Sequence, residues 1–131
     1  MDGAQTGSLL KKLTATVEAG WEDVDDDRRL FICGLRQLQQ GDVDAAWRHF
    51  RRAARYCEEP FDTMALMARA RCEVVRGHQA AALTIFGQIT ESDVPSGLRR
   101  MAWMEIADLA RERGDRALLA EAGAALRRAR M

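Results

Sequence analysis

The sequence predicts an all-α fold of stacked helical hairpins, about three pairs behind one leading helix. Three observations predict it. Apolar residues recur at steps of three and four along nearly the whole 131-residue chain, the spacing that lines one face of a helix. Glycine-centred turns recur at Gly41, Gly77 and Gly114, intervals of 36 and 37 residues, and a fixed period of this size marks a helical repeat array. The two prolines, Pro60 and Pro95, fall between the pairs so defined, where a helix must stop. No run shows the short β-branched alternation of a strand.

Residues 1–7, MDGAQTG, lack periodicity and read as a flexible start to a single domain spanning 8–131. A leading helix is expected over 8–19, with Leu9, Leu10, Leu13 and Val17 on one side and Gly20 ending it. The acids Glu22, Asp23, Asp25, Asp26 and Asp27 follow. Carboxylates there suit the positive end of the next helix. The first pair is expected at about 26–57, turning at Gly41–Asp42. Its second helix would bury Val43, Ala46, Trp47, Phe50, Ala53, Ala54 and Cys57 and turn Arg48, Arg51, Arg52 and Arg55 outward. The second pair is expected at about 62–91 with a turn at Gly77–His78, and the third at about 97–129 with a turn at Gly114–Asp115. The helix from 62 is apolar nearly all round, as in a helix covered on two sides. A single hairpin cannot cover its own apolar face, so stacking is what stabilises such an array.

Aligned on the three glycines, residues 27 to about 129 resemble the tetratricopeptide (TPR) repeat family. Gly34 sits seven residues before Gly41, where two helices approach closely. Ala46, Phe50 and Ala53 fall where the family has small, large aromatic and small residues. The second pair offers Ala70, Gly77, Ala82, Phe86 and Ile89, and the third Trp103, Ile106, Ala107, Ala110 and Gly114. The array departs from the pattern at Leu30 and Leu66, usually tryptophan, at Gln37 and Glu73, often tyrosine, and at Arg69, usually leucine. Leu119 and Gly123 make the last helix look like a cap. The resemblance implies a right-handed solenoid whose first helices line a concave surface, and a protein-binding rather than enzymatic role. With its one leading helix and compact length the chain is similar in outline to the small TPR-type chaperones of bacterial type III secretion.

Composition narrows the functional classes. Lys+Arg and Asp+Glu are both 20, so the formal charge is zero. That removes the electrostatic case for nucleic-acid or membrane-surface binding. No stretch is apolar and long enough to span a bilayer, and the start lacks the apolar core of a secretory signal, so a cytoplasmic protein is expected. Arginine outnumbers lysine eighteen to two and asparagine is absent, a bias found in GC-rich bacterial genomes. Cys33, Cys57 and Cys72 show no paired spacing and read as buried thiols. His49 and His78 read as surface residues. No nucleophile elbow, zinc spacing, phosphate-binding glycine loop or dinucleotide fingerprint occurs, so no enzyme, no cofactor and no metal site are expected. Surface carboxylates read as ion-pair partners, Glu112 with Arg116 among them.

Two surfaces are candidates for a partner. On the projected concave face lie Phe31, Leu35 and Leu38 from the first pair, Met64, Met67 and Arg71 from the second, and Met101, Met104 and Arg111 from the third. Methionines suit a surface that accepts varied apolar side chains, with the arginines fixing polar groups of a bound segment. The same methionines equally suit the interior between repeats. The secondary strip Arg48, Arg51, Arg52, Arg55 is either a solvated convex face or a docking strip for an acidic helix or an anion. The leading expectation is a chaperone or adaptor holding a segment of another protein. The alternative is a scaffold component acting through self-association or complex assembly, with a homodimer through Trp21 or the last helix as one form.

Overall fold

The computed structural model describes residues 26–129. The expected flexible segment 1–7, the leading helix 8–19, Trp21 and the acids up to Asp25 lie outside the described residues. Within them the chain is all-helical, with six helices and no strand. They are α1 (Asp26–Gln39), α2 (Val43–Tyr56), α3 (Phe61–Val75), α4 (Gln79–Glu91), α5 (Ser96–Arg113) and α6 (Arg116–Ala129). No helix among the described residues is long and apolar enough to cross a membrane.

The glycine turns share one hydrogen-bond pattern. Gly41, Gly77 and Gly114 take φ of 84°, 86° and 69°, the left-handed region that costs glycine little. After each, a backbone N–H reaches back five residues: Asp42 to Gln37 at 2.9 Å, His78 to Glu73 at 2.7 Å and Asp115 to Ala110 at 2.9 Å. The glycine N–H groups bond three residues back, to Leu38, Val74 and Arg111. This is the Schellman ending, which satisfies carbonyls that the helix leaves open. Asp42 and Asp115 then cap the next helix. Their carboxylates accept from the backbone N–H of Ala45 at 3.2 Å and Leu118 at 3.1 Å.

The chain divides into two compact units, Met1–His78 and Gln79–Met131. In the first, α2 packs against both α1 and α3, and α1 touches α3. Phe31, Phe50 and Ala53 are buried between them. The Phe31 ring lies 5.7 Å from that of Phe50 and 6.4 Å from that of Phe61, both tilted as aromatic pairs prefer. Gly34 lies against Phe50: a Cβ there would stand 2.6 Å from its Cε1. Ten of the fifteen residues of α3 are buried. In the second unit α5 packs against α4 and α6. Its core is Ile85, Phe86 and Ile89 of α4, Ile106 and Leu109 of α5, and Ala122 and Ala125 of α6.

Two local expectations are corrected. Glu112 does not pair with Arg116. The left-handed Gly114 ends the helix between them, so four-residue spacing no longer places them on one face, and Glu112 instead accepts from Gln79 Nε2 at 3.5 Å. Cys33 is exposed, whereas Cys57 and Cys72 are buried. On α1 the buried line runs through Phe31, Ile32 and Leu35, and Cys33 falls on the opposite side.

Candidate functional site

The arginine face of α2 is the first candidate. Ala46, Phe50 and Ala53 commit one side of this helix to the core, so residues about half a turn away must face out. Arg48, Arg51, Arg52 and Arg55 are all exposed. No carboxylate pairs with any of them among the described residues. Arg48 Nε donates to the Asp44 carbonyl at 3.4 Å. The Arg51 guanidinium lies 5.5 Å from the Trp47 ring centre, and that of Arg55 lies 5.5 Å from the Tyr56 ring, which is itself 53% exposed. Arg48, His49, Arg52 and Ala45 line a shallow trough of about 420 Å³. Like charges three and four residues apart on a helix repel. An anionic partner would relieve that repulsion.

Helix α3 extends this face in a way that spacing could not disclose. Its Arg69, and Arg76 just past its last residue, bring guanidinium groups to 5.7 Å and 4.9 Å from the same Trp47 ring. Three arginines therefore surround one indole, a favourable arrangement for each cation. Arg76 is anchored. Its Nε meets Asp44 at 3.3 Å, and its Nη1 donates to Glu73 at 3.2 Å. His78 shares Glu73, with Nδ1 3.0 Å from Oε2. Among the described residues Arg69 has no such anchor, and its Nε and the Trp47 Nε1 are buried without a hydrogen-bond partner.

The nine residues expected on the concave face meet different fates. In the first unit Phe31, Leu35, Met64, Met67 and Arg71 are between 0% and 4% exposed, and Leu38 is half-buried. No partner reaches the buried five without moving what covers them. In the second unit Met101 is half-buried, Met104 is 37% exposed, and Arg111 is exposed and bonds Asp108 at 3.2 Å.

Reactive chemistry is not assembled around these residues. Burial first, and then the neighbouring Glu73 carboxylate, push the Cys72 thiol up to about 12 against the lowering pull of Arg76. Cys72 is therefore protonated, and a poor nucleophile, at neutral pH. No group of three or more His, Cys, Asp or Glu side chains among the described residues could hold a metal ion. His49 is tied to the Ala45 carbonyl at 3.1 Å.

No family model matches the chain, and neither a curated protein nor a solved structure does.

Proposed function

We propose that this chain is a non-enzymatic protein-binding module, a chaperone or adaptor, and that it holds an acidic segment of its partner. The observation that supports this reading is the arginine face of α2. Four exposed guanidinium groups stand there with no carboxylate paired to them among the described residues, beside the arginine-ringed Trp47. In a chain of zero formal charge such a strip is local, so it favours one docking orientation rather than general attraction. Arginine and tryptophan are also the side chains most often dominant in protein interfaces.

The finer identity belongs to the same proposal. The three matching glycine turns and the close Gly34–Phe50 approach agree with a TPR-type array, read as a right-handed solenoid in a cytoplasmic, bacterial protein. Its outline favours a secretion-type chaperone. The partly open residues of the expected concave face, Met101, Met104 and Arg111, are a separate candidate contact within the second unit.

Binding of a glutamate-rich helical peptide to the full chain, followed by fluorescence anisotropy, tests the reading. Arg48→Glu with Arg52→Glu should weaken binding by about tenfold or more, and raising salt from about 0.1 M to about 1 M should weaken wild-type binding similarly. Met104→Glu, outside the strip, should leave it within about twofold. Binding that ignores both charge reversal and salt would sink the proposal. A discrete homodimer that binds no peptide would move it to the scaffold alternative.

A further inference from the structure

The second unit holds a feature that the sequence did not disclose. A cavity of about 570 Å³ opens between the start of α5 and the end of α6. Three of its lining side chains are Arg99, Arg100 and Arg128, and no carboxylate lines it among the described residues. Helix α5 contributes its N-terminus through Ser96 and Gly97. This end is open in three respects. Pro95, at the cap, makes no side-chain hydrogen bond; the first turn carries no acid; and a Cβ on Gly97 would meet nothing within 4 Å. Free backbone N–H groups and the positive end of an eighteen-residue helix favour an anion there. Arg99 is held in place, with Nη2 donating to the Val94 carbonyl at 2.9 Å, yet its Nε is buried without an acceptor. Neither Arg100 nor Arg128 pairs with a carboxylate among the described residues.

Trp103 forms one wall of this cavity and, with Thr90, also borders a second cavity of about 230 Å³. The second space differs in chemistry. Leu83, Ile106 and Leu118 make it apolar, and Glu91 and Glu121 supply acceptors at its lining. The adjoining spaces present, in order, a cationic end, an indole face and an apolar end with two carboxylates. Together they fall in the size range of small-molecule sites.

We propose that the second unit binds a small phosphate ester carrying a flat ring, a nucleoside phosphate in chemical class. Guanidinium forks and the helix end take the phosphoryl oxygens. The ring stacks on Trp103. The carboxylates of Glu91 and Glu121 accept from amino or hydroxyl groups of the nucleoside. A bare phosphate would use only the first cavity and leave the indole and both carboxylates without a role. This site is independent of the protein-binding reading, which rests on α2.

Calorimetry on the full chain tests the proposal with ADP, pyrophosphate, adenosine and a phosphoserine peptide as probes. ADP should bind one per chain and about tenfold more tightly than pyrophosphate, with adenosine weakest. Arg100→Gln with Arg128→Gln, both exposed positions, should weaken ADP and pyrophosphate alike by about tenfold or more. Trp103→Leu should remove the advantage of ADP and leave pyrophosphate unchanged. Trp103 is half-buried, so Glu121→Ala at an exposed position gives the same distinction without disturbing the core. Pyrophosphate binding as tightly as ADP, a phosphoserine peptide binding more tightly than ADP, no ADP binding, or ADP binding unaffected by the arginine pair would each overturn it.

Discussion

At the scale of single residues, Gly34 and Cys72 make the clearest predictions. A methyl group on Gly34 would meet three Phe50 ring atoms at 2.6, 2.8 and 3.0 Å, and Phe50 is fully buried, so its ring has nowhere to swing. Gly34→Ala gains helix propensity worth about 1 kcal/mol, but overpacking typically costs about 1–3 kcal/mol. The net effect should be a lower thermal midpoint. Gly87, in α4, has nothing within 4 Å of an added Cβ, so Gly87→Ala should raise the midpoint. Calorimetric melts of both variants check the pair, and a stabilised Gly34→Ala would refute the close packing. For Cys72 the folded state holds the thiol proton up to about 12, against an ordinary value of 9.0. The folded chain thus binds more protons than the unfolded one between those values. The associated stability is intact below pH 9.0 and is lost as pH rises toward about 12. The stability advantage of wild type over Cys72→Ala should shrink by on the order of 1 kcal/mol between about pH 8 and about pH 10. Urea midpoints at the two pH values measure it, and a constant gap would contradict the burial of the thiol.

At the scale of elements, the turns repeat their backbone more faithfully than their side chains. All three use a left-handed glycine and the same back-bonded N–H, but only Asp42 and Asp115 add a carboxylate cap. His78, at the corresponding position, bonds Glu73 instead. Asp42→Ala and Asp115→Ala should each cost about 0.5–2 kcal/mol. His78→Ala removes a half-exposed contact but no cap, and should shift the denaturation midpoint least of the three. Equal shifts would show that the caps contribute nothing beyond the shared backbone turn. The regularity was legible beforehand, because glycine followed by aspartate marks both a helix end and the next start. The absence of the Glu112–Arg116 pair follows from the same turn, which breaks the face on which that pair depends.

At the scale of the whole molecule, zero formal charge conceals a strongly uneven distribution. Among the described residues, Arg48, Arg51, Arg52 and Arg55 gather on one helix without carboxylate partners, and Arg99, Arg100 and Arg128 gather around a cavity that no carboxylate lines. Apart from half-buried Arg99, the members of both clusters are exposed, so changing them should affect binding more than folding. Reversing Arg48 and Arg52 makes their pairs with Arg51 and Arg55 attractive but sets the new carboxylates against each other and against Asp44, opposing terms of a few tenths of a kcal/mol for each pair. The variant should therefore melt within about 2 °C of wild type while losing acidic-peptide binding. A large fall in midpoint would assign the strip a structural role instead.

Helix content, the six helix positions and the three turns follow from local information: apolar spacing, glycine and proline. Each depends on residues within a few positions of one another, and each was readable from the chain alone. The outward face of α2 was readable for the same reason, because a helix that buries Ala46, Phe50 and Ala53 must turn Arg48 and Arg52 away. Tertiary structure alone decided which apolar residues would be accessible. Phe31, Met64 and Met67 look the same in sequence whether they line a groove or fill a core, and only packing against other helices separates the two. It also decided the meetings of residues distant in the chain: Arg69 and Arg76 around Trp47, and the end of α6 against the start of α5 in the basic cavity. Periodicity sets a side chain's direction on its own helix but carries no information about what the neighbouring helix brings to meet it.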